Sequence, residues 1–247
     1  KNSYLVLDLD FSGIETNTSD KLYYDFNNKI SRSITNCLLR EQLADQNQID
    51  KICSHKTPAS MVGEFFDLIE RNSTNKLCII IDEYDLFANE LLAFKPEEFK
   101  QHFGSTGFIR KFYEQIKEAA KKGVVDRVFI TGVTPIALDS LSSGFNITEN
   151  LSTAIEFNEM LGFKEEEVKT IIEEIKMECP KTDRHKLFAD LVRFYDGYKF
   201  NREAETRVFN PDMILYFVNQ YTRSQKCKYP DSLIDKNIIS DYTKIQQ

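Results

Sequence analysis

The stretch Leu77-Cys78-Ile79-Ile80-Ile81-Asp82-Glu83-Tyr84-Asp85 decides how the rest of the chain is read. Its first five residues form an unbroken apolar run rich in β-branched side chains. A short run without alternation suits a strand buried on both faces, as in a parallel sheet covered by helices. The run ends abruptly in Asp82, Glu83, Tyr84 and Asp85. Carboxylates at the C-terminal end of a parallel strand open into the crevice where open α/β sheets bind ligands. There, Asp82 suits Mg²⁺ held through its water shell, because Mg²⁺ is hard and dehydrates reluctantly. Glu83 suits the orientation or deprotonation of an attacking water. The plainer alternative is a buried strand that leaves into a charged turn, since every such strand must end in something polar. The residues alone leave both readings open.

Toward the N-terminus, Tyr4 to Leu9 form a second apolar run that leaves for a loop at Asp10. Ser19 and Asp20 cap a helical pattern with Leu22, Phe26, Ile30, Ile34 and Leu38 on one face. Residues 42–56 are polar and read as loop with weak helix. Pro58 opens a further helix, with Met61, Phe65, Leu68 and Ile69 facing inward. These are βα repeats, the pattern of a sheet with crossover helices. Toward the C-terminus, residues 87–107 read as an excursion with Pro96 at a helix start. Residues 108–122 form an amphipathic helix with Ile109, Phe112, Tyr113 and Ile116 buried, stopped by Gly123. Val128, Phe129 and Ile130 make a third strand ending in Thr131 and Gly132. A loop rich in Ser, Gly and Asn spans 140–152, and Ala154 to Phe157 reads as one more short strand.

From Gly162 the pattern is helical only. Glu165, Glu166 and Glu167 complement the dipole of one helix, residues 182–195 form a second, ended by Gly197, and Asn210-Pro211 launches a third. The expected organisation is an α/β core over 1–161 and an all-helical lobe over 162–247.

The 247 residues, 41% hydrophobic and 29% charged, describe an ordinary globular protein. A net charge of −7 argues against broad adhesion to nucleic acid or anionic membranes, leaving a local basic patch open. No apolar stretch approaches the roughly 20 residues that span a bilayer, and none of the 247 residues reads as a signal peptide. Cys37, Cys53, Cys78, Cys179 and Cys227 include no CxxC pair. The odd count reads as free thiols in a reducing, cytoplasmic compartment. His55, His102 and His185 lack zinc-ligand spacing. The chain opens on Lys1 and enters a strand almost at once, so it reads as a piece of a longer protein.

The ordered set IIIDEYD, FIRKFYEQIK, RVFITGV, SLSSGFNITENLS, GFKEEEV, FYDGYKF and VFNPDMILYFV resembles the AAA-ATPase-like P-loop proteins. These are often joined to a C-terminal nuclease-like domain of the PD-(D/E)XK kind. The resemblance covers almost the whole chain. It implies a mostly parallel P-loop NTPase-like sheet followed by a helical lid, and an ATP-binding, ATP-hydrolysing activity with Mg²⁺. Residue by residue, it puts Asp82 at the Walker B aspartate and metal position, Glu83 at the adjacent catalytic acid, and Thr131 at the sensor of the γ-phosphate. A hydroxyl suits that place because it both donates and accepts hydrogen bonds; the plain alternative is a small polar residue ending a strand. The SLSSGFNIT loop is a candidate gate.

One departure is large. The family's strand, GxxxxGK[ST] and helix are absent: Gly104, Gly107 and Gly123 are followed by no GK[ST]. Without that motif there is no cradle of backbone N–H groups for phosphates. The economical expectation is that Lys1 follows a P-loop helix, the missing strand lying between the sensor strand and the one near Ile155. A degenerate, non-hydrolysing member is the other.

Secondary candidates are Arg110 and Arg127 as arginine fingers on a neighbouring subunit, which would imply a homo-oligomer. Lys199, in the turn Tyr195 to Lys199, could touch nucleotide, though a structural corner is the plainer reading. Glu174 and Lys176 imitate a nuclease ExK triplet but read as a solvated helix face. The rival class is a regulatory or scaffolding module acting through protein partners or through an attached nuclease-like domain.

Overall fold

The computed structural model describes residues 4–134, 145, 147–223 and 227–234. The chain packs as two units, residues 1–148 and 149–247, so the division falls at Thr148, ahead of the Leu161 expected from composition.

In the first unit, β1 (Tyr4–Asp10), β2 (Lys76–Asp82) and β3 (Val125–Ile130) form a parallel sheet in the order β1-β2-β3. The sequence expectation of a parallel α/β sheet with crossover helices is met here. Helices α1 (Ser19–Arg40), α2 (Gln46–Cys53) and α3 (Pro58–Asn72) lie between β1 and β2. Helices α4 (Leu86–Phe94), α5 (Pro96–Phe103) and α6 (Phe108–Lys121) lie between β2 and β3. Thr18, one residue ahead of the expected cap, closes the start of α1 by accepting from Lys21 N. The polar stretch read as loop contains α2 because Asp45 and Gln48 form a reciprocal capping box.

Burial in β2 alternates, which corrects the reading of a strand buried on both faces. Leu77, Ile79 and Ile81 are buried, whereas Cys78 and Ile80 are half-buried. The buried set joins Leu5, Leu7 and Leu9 of β1 in one core with Phe26 of α1, Phe65 of α3 and Phe112 of α6. Among the described residues the second face has no comparable cover, and Phe129 on it is 45% exposed. Behind the strand ends, aromatic rings fill the core: Phe11 stacks on Phe26 at 4.8 Å, and Phe112 meets Phe26 edge-on at 5.3 Å.

In the second unit, α7 (Glu165–Glu178), α8 (Arg184–Tyr195) and α9 (Pro211–Thr222) pack through Val168, Ile172, Leu187, Leu191, Ile214 and Phe217. Two expectations change. The lobe is not all-helical: α8 runs directly into β4 (Asp196–Tyr198), which pairs antiparallel with β5 (Val208–Phe209). Gly197, at φ +140°, therefore sits within a strand rather than after a helix. The segment read as a short strand is a 3₁₀ turn, Ile155–Phe157. Its backbone closes locally, Phe157 N donating to Ala154 O and Met160 N to Phe157 O, and leaves no row of groups for a sheet neighbour.

The free-thiol reading is corrected for two of the five cysteines. Cys179, at the end of α7, is bonded to Cys227 across 48 residues, while Cys37, Cys53 and Cys78 are free. One pair plus three thiols gives an odd count as readily as five thiols do. Among the described residues no helix is long and apolar enough to cross a membrane.

Candidate functional site

Parallel pairing brings three polar strand ends to one edge of the first unit. Asp10 stands opposite Asp82 in register, and Thr131 follows Ile130, the partner of Ile81. The main chain holds these ends together. Phe11 N donates to Asp82 O at 3.0 Å and Thr131 N donates to Ile81 O at 2.8 Å.

Asp82 and Thr131 meet directly, the Thr131 hydroxyl donating to Asp82 Oδ1. The same oxygen accepts from Glu83 N at 3.0 Å. Asp82 Oδ2 accepts no hydrogen bond among the described residues, and neither Asp82 nor Glu83 is in an ion pair there. Glu83 has φ +50°, a left-handed conformation that costs a β-carbon-bearing residue roughly 1–2 kcal/mol. Strain of this kind gathers where a side chain has to be aimed. The Glu83 carboxylate is exposed beside Asp82.

Asp10, which in sequence reads only as the start of a loop, is a member of this edge. Hydrogen bonds from Ser12, through its hydroxyl and its backbone N–H, hold the Asp10 carboxyl below the usual range, and Lys29 at 3.7 Å adds to the effect. Asp85 is the second residue the sequence missed. It is fully buried and accepts from Val133 N, Thr134 N and Asn89 Nδ2. Standing just before the apolar start of α4, it reads in sequence as an ordinary helix cap; nothing local signals that its partners lie 48 residues away.

The donor set suits one side of a Mg²⁺–nucleotide complex. An outward carboxylate oxygen of Asp82, a second carboxylate on Glu83 and a hydroxyl on Thr131 can meet a hydrated cation and a water. Two carboxylates hold Mg²⁺ weakly unless substrate phosphates share it, and the chain contains no GxxxxGK[ST] to cradle them. Among the described residues no group of three or more His, Cys, Asp and Glu gathers as a metal cage.

Residues 1–142, more than half of the chain, match the family model AAA-ATPase_like, described as "Predicted AAA-ATPase". The chain belongs to the AAA-ATPase-like family. It is 25% identical over 166 residues to an "Uncharacterized protein in vnfD 5'region" of Azotobacter chroococcum mcd 1; the match covers 67% of this chain and 29% of that protein. The chain therefore spans under a third of this relative's length. No solved structure matches.

The other candidates are not drawn to this edge. In this AAA-ATPase-like chain, Arg110 lies in the first turn of α6 and pairs with Glu114 at 3.2 Å. Arg127 lies on β3 with its side chain 73% exposed, contacting Asp126. Lys199 donates to Ala204 O within the second unit. Lys176, read as solvated, donates to Thr182 O at 2.7 Å and so closes the end of α7. Of the SLSSGFNIT loop, residues 140–144 and 146 lie outside the described residues.

Proposed function

We propose that the first unit carries the acidic half of an ATP-hydrolysing site. The observation that carries this reading is the Thr131–Asp82 bond at the ends of adjacent parallel strands, beside Glu83, which is exposed and held in a strained backbone. Asp82 would hold a hydrated Mg²⁺ through the carboxylate oxygen that Thr131 leaves free. Glu83 accepts a proton from the water whose oxygen attacks the γ-phosphorus, as the bond to the β,γ-bridging oxygen breaks and ADP leaves. Thr131 holds Asp82 in place by donating its hydroxyl proton to Oδ1, and its oxygen is left to accept from a water. Bound Mg²⁺ supplies charge neutralisation for the phosphates.

The missing phosphate cradle belongs, in this reading, to a strand–P-loop–helix segment that pairs with β3. Two features support that placement. β3 is the edge of the sheet among the described residues, and Phe129 is exposed where a covered parallel sheet would bury it. Both arginine-finger candidates pair with a carboxylate, Arg127 with Asp126 and Arg110 with Glu114; Arg127, with its side chain 73% exposed against 17% for Arg110, is the better placed to reach a second copy of the chain. An attached nuclease-like domain remains part of the proposal, as the effector that such a switch would control.

Isothermal titration with ATP·Mg²⁺ tests this. Residues 1–247 alone should bind negligibly, and a chain extended upstream by strand, GxxxxGK[ST] and helix should bind. Tight, saturable, Mg²⁺-dependent binding by residues 1–247 alone would overturn the proposed division of the site.

A second reading has one observation in its favour, the absence of GxxxxGK[ST] from all 247 residues. A non-hydrolysing regulatory or scaffolding module would need neither Glu83 nor Thr131. A gene that encodes no such motif upstream would favour it.

A further inference from the structure

We propose that Asp85 is a positioning residue that binds the loop after β3 to the acidic turn and so fixes the hydroxyl of Thr131 beside Asp82. The role in turnover rests on the hydrolytic reading above; the clamp itself does not.

Asp85 occupies the N-cap position of α4, where an aspartate ordinarily accepts from an amide of its own helix. It makes no such bond. Its carboxylate instead crosses to the loop after β3. Val133 N lies 3.1 Å from Oδ1 and 3.0 Å from Oδ2, and Thr134 N donates to Oδ2 at 2.6 Å. Asn89 Nδ2 donates to the same oxygen at 2.9 Å. The Thr134 hydroxyl closes the ring, 2.8 Å from Asn89 Oδ1 and 3.2 Å from Asp85 Oδ2. The side chain is wholly buried, and among the described residues no Lys or Arg pairs with it. Its compensation comes from N–H donors, and a buried carboxylate that lost them would be left costly and unpaired.

Three further stitches run along the same seam. Tyr84 N donates to Thr131 O at 3.3 Å, and the Tyr84 hydroxyl donates to Thr134 O. Gly132 is flush against the turn: a β-carbon there would lie 2.4 Å from Asp85 Oδ1 and 2.5 Å from the Tyr84 ring. The backbone on both sides of Gly132 is thus held by the acidic turn, and Thr131 is the residue immediately before it. Asp85 has no outward oxygen to offer a metal or a water, so it acts through Thr131 rather than on the substrate. The DEYD sequence accordingly divides its labour, with Asp82 and Glu83 facing outward and Tyr84 and Asp85 facing the sensor loop.

The test compares wild type, Asp85→Asn and Glu83→Gln in the full-length protein, by backbone hydrogen exchange and by ATP turnover. In Asp85→Asn an amide NH₂ replaces one acceptor oxygen without changing size. The amides of Val133 and Thr134 should exchange at least about tenfold faster. The kcat should fall about tenfold or more, as expected of a misplaced group, with KM for ATP moving less than about threefold. Glu83→Gln should lose turnover while exchange at Val133 and Thr134 stays at the wild-type rate. Unchanged exchange in Asp85→Asn would overturn the clamp. Faster exchange with unchanged kcat would overturn the positioning role. A wild-type protein without turnover would remove the hydrolytic reading and the role in it, and the exchange comparison would still decide whether Asp85 holds the loop. Should Asp85→Asn fail to fold, Asn89→Ala removes one donor only and should move both readouts the same way by less; no movement in exchange would count against the clamp.

Discussion

Thr131 Oγ1 donates to Asp82 Oδ1, tying the end of β3 to the end of β2. The bond occupies one carboxylate oxygen and leaves the other without a hydrogen bond among the described residues, so the role of Thr131 is to orient Asp82. Thr131→Ala in the full-length protein should lower kcat by roughly 10- to 100-fold, the range for losing one preorganised donor. Thr131→Ser should retain most of it. Steady-state ATP turnover by the two variants checks this, and equal loss in both would point to the methyl group instead.

Tyr113 is buried in the core beside Phe145, at 5.0 Å between rings, and among the described residues its hydroxyl has no hydrogen-bond partner. Burial pushes its pKa upward, and the nearby Tyr84 and Asp85 add to the shift. An unpaired buried hydroxyl costs about 1–3 kcal/mol. Tyr113→Phe should therefore leave stability unchanged or raise it by about 1 kcal/mol. Denaturant unfolding of residues 1–247 measures the change, and a clear loss would reveal a hidden partner for the hydroxyl.

The parallel sheet and its crossover helices were legible because apolar runs at Leu5–Leu9 and Leu77–Ile81 alternate with helical stripes such as Phe26, Ile30 and Ile34. Asp82 and Glu83 were legible as a pair because they end a strand. Asp85 was not, because its partners Val133 and Thr134 are set by the tertiary approach of two loops. The one-sided burial of β2 was equally hidden: Cys78 and Ile80 are apolar whether or not a second layer covers them. The β4–β5 pairing escaped because Asp196-Gly197-Tyr198 is too short to show a period.

His102 is buried between α1 and the helices after β2, its Nε2 lying 3.2 Å from Ser19 Oγ, which donates to Glu98 at 3.0 Å. Burial lowers its pKa from 6.5, and Glu98 opposes the shift only in part. The folded state thus binds a proton less readily than the unfolded chain. Stability should be fully present above about pH 6.5 and should decline as pH falls from there toward the lowered folded value. His102→Gln should flatten that decline in urea titrations across pH 5–7; an undiminished slope would assign it to other groups.

The Cys179–Cys227 bond ties the end of α7 to a segment that also packs Tyr229 against Phe217 and Tyr221, at 5.5 and 5.6 Å. Closing a loop of 48 residues contributes about 4 kcal/mol in the chain-entropy account. Cys227→Ser should lower the stability of the second unit by up to that amount. The peptide around Tyr229 should then exchange amide hydrogens faster, as hydrogen-exchange mass spectrometry would show. Unchanged exchange there would mean that the aromatic contacts alone hold the segment.

The hydrolytic assignment rests most directly on Glu83. In the full-length protein, ATP affinity and single-turnover hydrolysis should be measured for Glu83→Gln beside wild type. The amide keeps the size of the side chain but cannot take a proton from water. The account predicts ATP·Mg²⁺ affinity close to wild type and hydrolysis slowed by about 100-fold or more, the usual contribution of a general base. Hydrolysis at the wild-type rate in that variant would contradict it.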